Sequence, residues 1–125
     1  MENIKFTRNH MWIREKEDLL VIGISDYAQM KLKSIMFVTL PEIGENLVQN
    51  ERFGDIESIK TVTDLIAPLA GKVMEINEKV ADIPEQMNES PYESWLIKIS
   101  PNDFNDFYSS DFMSEENYKE YIKSL

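Results

Sequence analysis

The 125-residue chain contains no cysteine, a single histidine, and only four glycines and five prolines. Without thiols it has no disulfide, no thiolate nucleophile and no cysteine-based zinc site. The same absence fits a reducing compartment. With His10 alone, a zinc centre would have to be assembled mostly from carboxylates, an unusual donor set for that ion. A Ser-His-Asp relay is equally unreadable, because His10 would have to serve every role. Gly23, Gly44, Gly54 and Gly71 are scattered, so no glycine-rich loop is available to cradle phosphate. No apolar run reaches membrane-spanning length. The opening Met1-Glu2-Asn3-Ile4-Lys5 has neither an apolar signal core nor the arginine-rich character of a transit peptide. Cations are scarce: 13 Lys and Arg face 23 Asp and Glu, for a net charge of −10. Such a chain repels phosphate backbones, which argues against nucleic acid as a partner. The acidity reads as solubility, or as a surface that meets basic patches on other proteins. A soluble cytoplasmic protein without self-contained catalysis is expected.

What is present is a run of short strand signals. Leu19–Ile24 is apolar and ends near Gly23 and Ser25. Residues 35–40 form a second run, closed by the turn Pro41-Glu42-Ile43-Gly44. Residues 53–59 are a third. Residues 65–67 and 73–76 flank the turn-like Pro68-Leu69-Ala70-Gly71. In 95–99 the alternation puts Trp95, Ile97 and Ile99 on one face, with Leu96 and Lys98 on the other. This spacing predicts an all-β sandwich or barrel in one domain spanning 1–125. Two helices interrupt it. One covers about 27–33, capped by Asp26 with Gln29 as the capping-box partner. The other is C-terminal, capped by Ser114, with Glu115 and Glu116 at the positive end of its dipole. Tyr118, Tyr121, Ile122 and Leu125 recur at helical spacing and predict a packed face. Phe104 and Phe107 are expected to pin a short turn or helix between 100 and 111. His10 reads as a hydrogen-bonded structural residue beside Trp12. The scattered methionines read as core filler, and the pairs among Glu15, Glu17, Asp18, Glu115 and Glu116 as solvated faces.

One segment differs, Phe53-Gly54-Asp55-Ile56-Glu57-Ser58-Ile59-Lys60-Thr61-Val62-Thr63-Asp64. Strand-like stretches flank Lys60, and Glu57 and Ser58 precede it. As a hairpin, the segment would put Lys60 at or near the tip, with its amine free of the core and open to a modifying enzyme. By residue type and spacing alone, however, Lys60 reads as an ordinary solvated lysine.

The segment Glu57-Ser58-Ile59-Lys60 resembles the E-S-V-K lipoylation motif of glycine cleavage H proteins. Val21-Ile22-Gly23-Ile24-Ser25-Asp26-Tyr27-Ala28-Gln29 is similar to the family's G-I-T-D-Y-A-Q stretch. Phe37-Val38-Thr39-Leu40-Pro41-Glu42-Ile43-Gly44 is similar to F-V-E-L-P-E-V-G. Ala67-Pro68-Leu69-Ala70-Gly71-Lys72-Val73 is similar to S-P-V-S-G-E-V. Asn88-Glu89-Ser90-Pro91-Tyr92 and Trp95-Leu96-Ile97-Lys98-Ile99 resemble the N-x-x-P-Y and G-W-L-I-K-I blocks. The blocks fall in the family's order along nearly the whole chain. The resemblance implies a flattened β-barrel or sandwich of the biotinyl/lipoyl-carrier type (a barrel-sandwich hybrid) with small flanking helices. It implies lipoic acid in amide linkage to Lys60, with Glu57, Ser58 and Asp64 as flanking site residues. It also implies a non-catalytic, monomeric carrier that shuttles the aminomethyl group of glycine. The implied partners are a glycine decarboxylase, an aminomethyltransferase, a dihydrolipoyl dehydrogenase and a lipoate-attaching enzyme. In the family the loaded arm folds back on the protein surface.

Some positions depart from the family pattern. Its H-E-W reads His10-Met11-Trp12 here, which removes an acid associated with the surface that holds the loaded arm. Its L-G-D/E-I reads Leu32-Lys33-Ser34-Ile35. Ile83-Pro84 replaces Asn-Pro, and Ser94 replaces a glycine. Asp64 keeps the position of a family acid. These changes leave room for a paralogous carrier that relays lipoyl groups or acts in another redox or stress pathway. Met11 is the residue that distinguishes the two readings.

Overall fold

The computed structural model describes residues 4–109 and 111–125. The chain runs through Ile4–Phe6 (β1), Met11–Lys16 (β2), Leu19–Ile24 (β3), Asp26–Leu32 (α1), Ile35–Thr39 (β4), Asn46–Leu47 (β5), Arg52–Ser58 (β6) and Val62–Ile66 (β7). It continues through Gly71–Ile76 (β8), Glu78–Asp82 (α2), Gln86–Glu89 (α3), Ile97–Pro101 (β9), Asn105–Tyr108 (α4) and Glu115–Lys123 (α5). Two open antiparallel sheets result, one in the order β1-β2-β3-β9-β8-β5 and the other in the order β4-β6-β7. The mainly β architecture with small helices is the one expected from the strand spacing.

Strand β3 explains how the sheets are held. Its continuous apolar run is buried on both faces, as such runs usually are. Leu20, Ile22 and Ile24 enter the main core with Ile13, Ile97 and Ile99 from the same sheet and Ile56 and Leu65 from the smaller one. Val21 points the other way, into a second cluster with Ile4, Phe6, Trp12 and Tyr118. There α5 lies on the outer face of the large sheet. The Phe6 and Tyr118 rings stack with centroids 4.4 Å apart, and Trp12 donates its indole N–H to the Pro91 carbonyl at 3.1 Å. Gly23 is required here, because a Cβ at that position would lie 2.6 Å from the Trp12 ring.

Several expectations need correction. The N-cap of α1 is Ser25, whose buried hydroxyl accepts the Ala28 N–H at 3.1 Å. Asp26 is instead the first helical residue, and its carboxylate accepts from the Gln29 amide at 2.8 Å. Trp95 and Leu96 precede β9 rather than belonging to it. Leu96 is therefore fully buried in the main core, and Trp95 joins the second cluster. The C-terminal helix begins after Ser114, which accepts the Asn117 N–H, and Tyr118 packs as expected. Leu125 lies past its end and is exposed. Met11 and Met87 fill core space, whereas Met30, Met36 and Met74 are exposed.

Candidate functional site

Lys60 sits in the three-residue connection between β6 and β7. The ladder closes at Glu57 and Val62, and the Ser58 N–H then bonds the Thr61 carbonyl at 2.8 Å. Ser58 shapes the turn with its side chain. Its buried hydroxyl accepts from the N–H groups of Lys60 and Thr61 at 3.4 and 3.3 Å. A hydroxyl in this position does the work of a backbone acceptor, as serine does in turns generally. Ile59 donates its N–H to the Ser34 carbonyl at 3.2 Å, so the hairpin tip is tied to the segment between α1 and β4. Ile59 leaves its side chain 68% exposed. Lys60 is exposed, and among the described residues its ammonium makes no hydrogen bond or ion pair. The backbone is held while the amine is free, which is what an acylating enzyme needs.

The other two sequence-designated residues, Glu57 and Asp64, share the outer face of the small sheet. Glu57 is exposed on the outer face of the small sheet, between its register partners Phe37 and Val62, and no ion pair engages it among the described residues. Phe37 and Val62 are 60% and 58% exposed. The tip of the hairpin therefore adjoins an apolar row interrupted by one carboxylate. Asp64 lies on the same face, opposite Asp55. The Arg52 guanidinium donates to Asp64 at 3.1 Å and also pairs with Asp55. Sequence reasoning missed Arg52; Asp55 is three residues away, but Asp64, twelve residues away, is brought to it only by the pairing of β6 with β7.

Thr63 alternates to the inner face of β7. It lines a pocket of about 260 Å³ together with Asn9, His10, Tyr27, Ala28, Lys31 and Leu32. The pocket adjoins the base of the Lys60 hairpin and carries no carboxylate. Its cation, Lys31, lies 5.5 Å from the centroid of the Tyr27 ring. Met11, where the family pattern has an acid, does not reach the pocket and is buried in the main core. A larger hollow, about 330 Å³, lies between α2, α3 and Trp95, and none of the hairpin residues lines it.

His10 has a left-handed backbone, φ 64°, and its Nδ1 lies 2.7 Å from the Tyr118 hydroxyl. That hydroxyl lies 2.7 Å from Ser25 Oγ. Burial lowers the His10 pKa below 6.5 and pushes Tyr118 up to about 12, with the Ser25 hydrogen bond acting against the latter shift. A neutral imidazole accepting from a protonated phenol fits both directions. His10 is thus hydrogen-bonded, as its sequence context suggested, with Tyr118 of α5 as its partner. Among the described residues no group of three or more His, Asp or Glu is arranged to hold a metal ion.

Comparison with known proteins places these features in context. The family model described as glycine cleavage H-protein matches residues 4–125. A glycine cleavage system H protein of Oceanobacillus iheyensis is 45% identical over 123 residues, covering 98% of this chain and 96% of the relative. One from Bacteroides thetaiotaomicron is 45% identical over 119 residues, covering 94% and 93%. The crystal structure of a glycine cleavage system H protein from Mycobacterium marinum superposes with a TM-score of 0.87 at 30% identity, covering 100% of this chain and 99% of that one. The two open sheets therefore have the barrel-sandwich arrangement of that carrier fold.

Proposed function

The chain belongs to the glycine cleavage H-protein family, and from that premise we propose that it is the lipoyl carrier of a glycine cleavage system, with lipoic acid attached to Lys60. The observation that carries this reading is the free, exposed Lys60 amine on a hairpin whose backbone is held from both sides. When bound, the lipoyl dithiolane supplies the redox-active sulfurs that a chain without cysteine lacks. The protein's share of the work is presentation. Ser58 shapes the turn, Ile59 anchors it, and Glu57 with Phe37 and Val62 offers a mixed acidic and apolar surface beside the modified amine. The pocket behind Thr63 is the candidate resting place for an arm that folds back. Its lining of Tyr27, Ala28 and Leu32 suits an alkyl chain, and Lys31 is the charge at its edge.

In this reading the whole chain is one carrier unit, monomeric and without turnover of its own. It works in the cytoplasm with a glycine decarboxylase, an aminomethyltransferase, a dihydrolipoyl dehydrogenase and a lipoate-attaching enzyme. The net charge of −10 favours basic docking surfaces on those partners. Among the described residues no helix is long and apolar enough to cross a membrane. The relatives' identity as glycine cleavage system H proteins favours this role over a paralogous relay, although position 11 carries a methionine where the family pattern has an acid.

Incubating lipoylated protein with glycine decarboxylase and isotopically labelled glycine tests the assignment. Label on the Lys60 peptide is the expected result. Lipoylated protein that acquires no label would contradict the glycine cleavage role and direct attention to the paralogous one.

A further inference from the structure

The hairpin that carries Lys60 is braced by a residue far away in sequence. Asn88, on α3, spends its whole carboxamide on α1, the turn that follows it and the first residue of β4. Its Oδ1 accepts the Ile35 N–H at 3.0 Å. Its Nδ2 donates to the Lys33 carbonyl at 2.6 Å and to the Gln29 side-chain oxygen at 3.1 Å. The amide orientation follows from the partners, since a backbone N–H can only donate and a carbonyl can only accept. Lys33 needs such support. It ends α1 with φ 61° and ψ −142°, a region that non-glycine residues seldom occupy.

The peptide unit joining Ser34 to Ile35 is the link to the hairpin. Its N–H is the group held by Asn88. Its carbonyl, on the opposite edge of the same plane, accepts the Ile59 N–H at 3.2 Å. Asn88 Oδ1, the Ser34–Ile35 peptide and the Ile59 amide therefore form one aligned chain of hydrogen bonds. In such a chain each bond polarises the next. Ile35 is also the register partner of Ser58, the residue that shapes the turn. A twist of the Ser34–Ile35 peptide would release Ile59 and shift the ladder at Ser58 together.

We infer that Asn88 is a positioning residue for Lys60, orienting the lysine hairpin for its modifying enzyme through the Ser34–Ile35 peptide and the Ile59 amide. The inference rests on the assignment of Lys60 as the modified residue. It adds a residue on α3 whose hydrogen bonds go to Ile35, Lys33 and Gln29 and not to the lysine.

The test uses the full chain as wild type, Asn88→Ala and Asn88→Asp. The aspartate variant keeps the size of the side chain and one acceptor but loses both donors. Two quantities are measured, amide exchange by NMR and enzymic lipoylation kinetics, with N-hydroxysuccinimidyl acetate as a small probe of intrinsic amine reactivity. Asn88→Ala should raise Ile59 exchange about tenfold, the equivalent of one lost hydrogen bond, and Asn88→Asp, which keeps an acceptor for the Ile35 N–H, should raise it less. The Leu96 amide, bonded to the Ile22 carbonyl at 2.8 Å in the large sheet, should stay at its wild-type rate. The KM for lipoylation should rise, by up to the same factor, with kcat little changed, because only the ordered hairpin is competent to bind. Acetylation of Lys60 by the small probe should not change. Equal rises at Ile59 and Leu96 would overturn the inference, since Asn88 would then merely stabilise the fold. Wild-type KM in both variants would overturn it too, while leaving the carrier assignment standing. Failure of the wild-type protein itself to accept lipoate at Lys60 would overturn that assignment and the inference with it.

Discussion

At Lys60 the useful property is a side chain with nothing to hold it, on a backbone that is held. Lys60→Arg keeps the charge but removes the primary amine that can be acylated. The variant should lose lipoylation completely in a mass-spectrometric assay while its melting temperature stays near wild type. A large loss of stability would make Lys60 a structural residue. His10 gives a different kind of prediction. Its pKa in the fold is lowered by burial, so below pH 6.5 the unfolded chain takes up the proton more readily than the folded one. Stability attributable to His10 is present above that pH, falls as the pH drops towards the lowered value, and then levels off. Chemical denaturation near pH 6 and pH 8 should reveal this component, and His10→Asn should abolish the difference. Residue type alone did not single out Lys60, because a solvated lysine has the same local composition. The ordered blocks of family resemblance did. Asn88 was visible only as part of one such block. Its role was hidden because Ile35 lies 53 positions away and Gln29 lies 59 away, and no local pattern encodes such contacts.

At the scale of the element, the β6–β7 hairpin depends on one hydroxyl. Ser58→Ala removes the acceptor shared by the Lys60 and Thr61 amides and should cost about 1 kcal/mol in a denaturant titration. Amide exchange should increase locally around 58–61. A loss confined to the other sheet would contradict this account of the turn. Elements with strong apolar patterning were legible. The run Leu19–Ile24 became β3 with the same bounds, and Ser114 caps α5 as its position suggested. Elements with weak patterning were not. β5 has two residues, too few for any periodicity. β2 mixes Met11, Trp12 and Ile13 with Arg14, Glu15 and Lys16 because its far end runs out into solvent. The α1 cap was assigned to Asp26 when its neighbour Ser25 performs it. Both residue types cap helices, and only the geometry distinguishes Ser25, whose hydroxyl also meets Tyr118.

At the scale of the molecule, charge and architecture divide the work. The two sheets bury one shared core and leave the Lys60 hairpin on the smaller, three-stranded sheet. The chain carries a net charge of −10, so attraction to basic partner surfaces should act over a distance set by salt. Raising ionic strength from low to moderate should therefore raise the KM of the protein as substrate for its partner enzymes. A KM independent of salt would assign recognition to the apolar row of Phe37, Ile59 and Val62 instead. The mainly β layering was legible because strand signals recur along the chain. The pocket behind Thr63 was not, since it is built from three separate stretches, Asn9 with His10, residues of α1, and one residue of β7.

The central claim is tested most directly by peptide mass spectrometry of the protein produced in a lipoate-replete host. The account predicts a lipoyl group on the Lys60 peptide and on no other lysine. An unmodified Lys60 in that material, or a lipoyl group elsewhere in the chain, would contradict it.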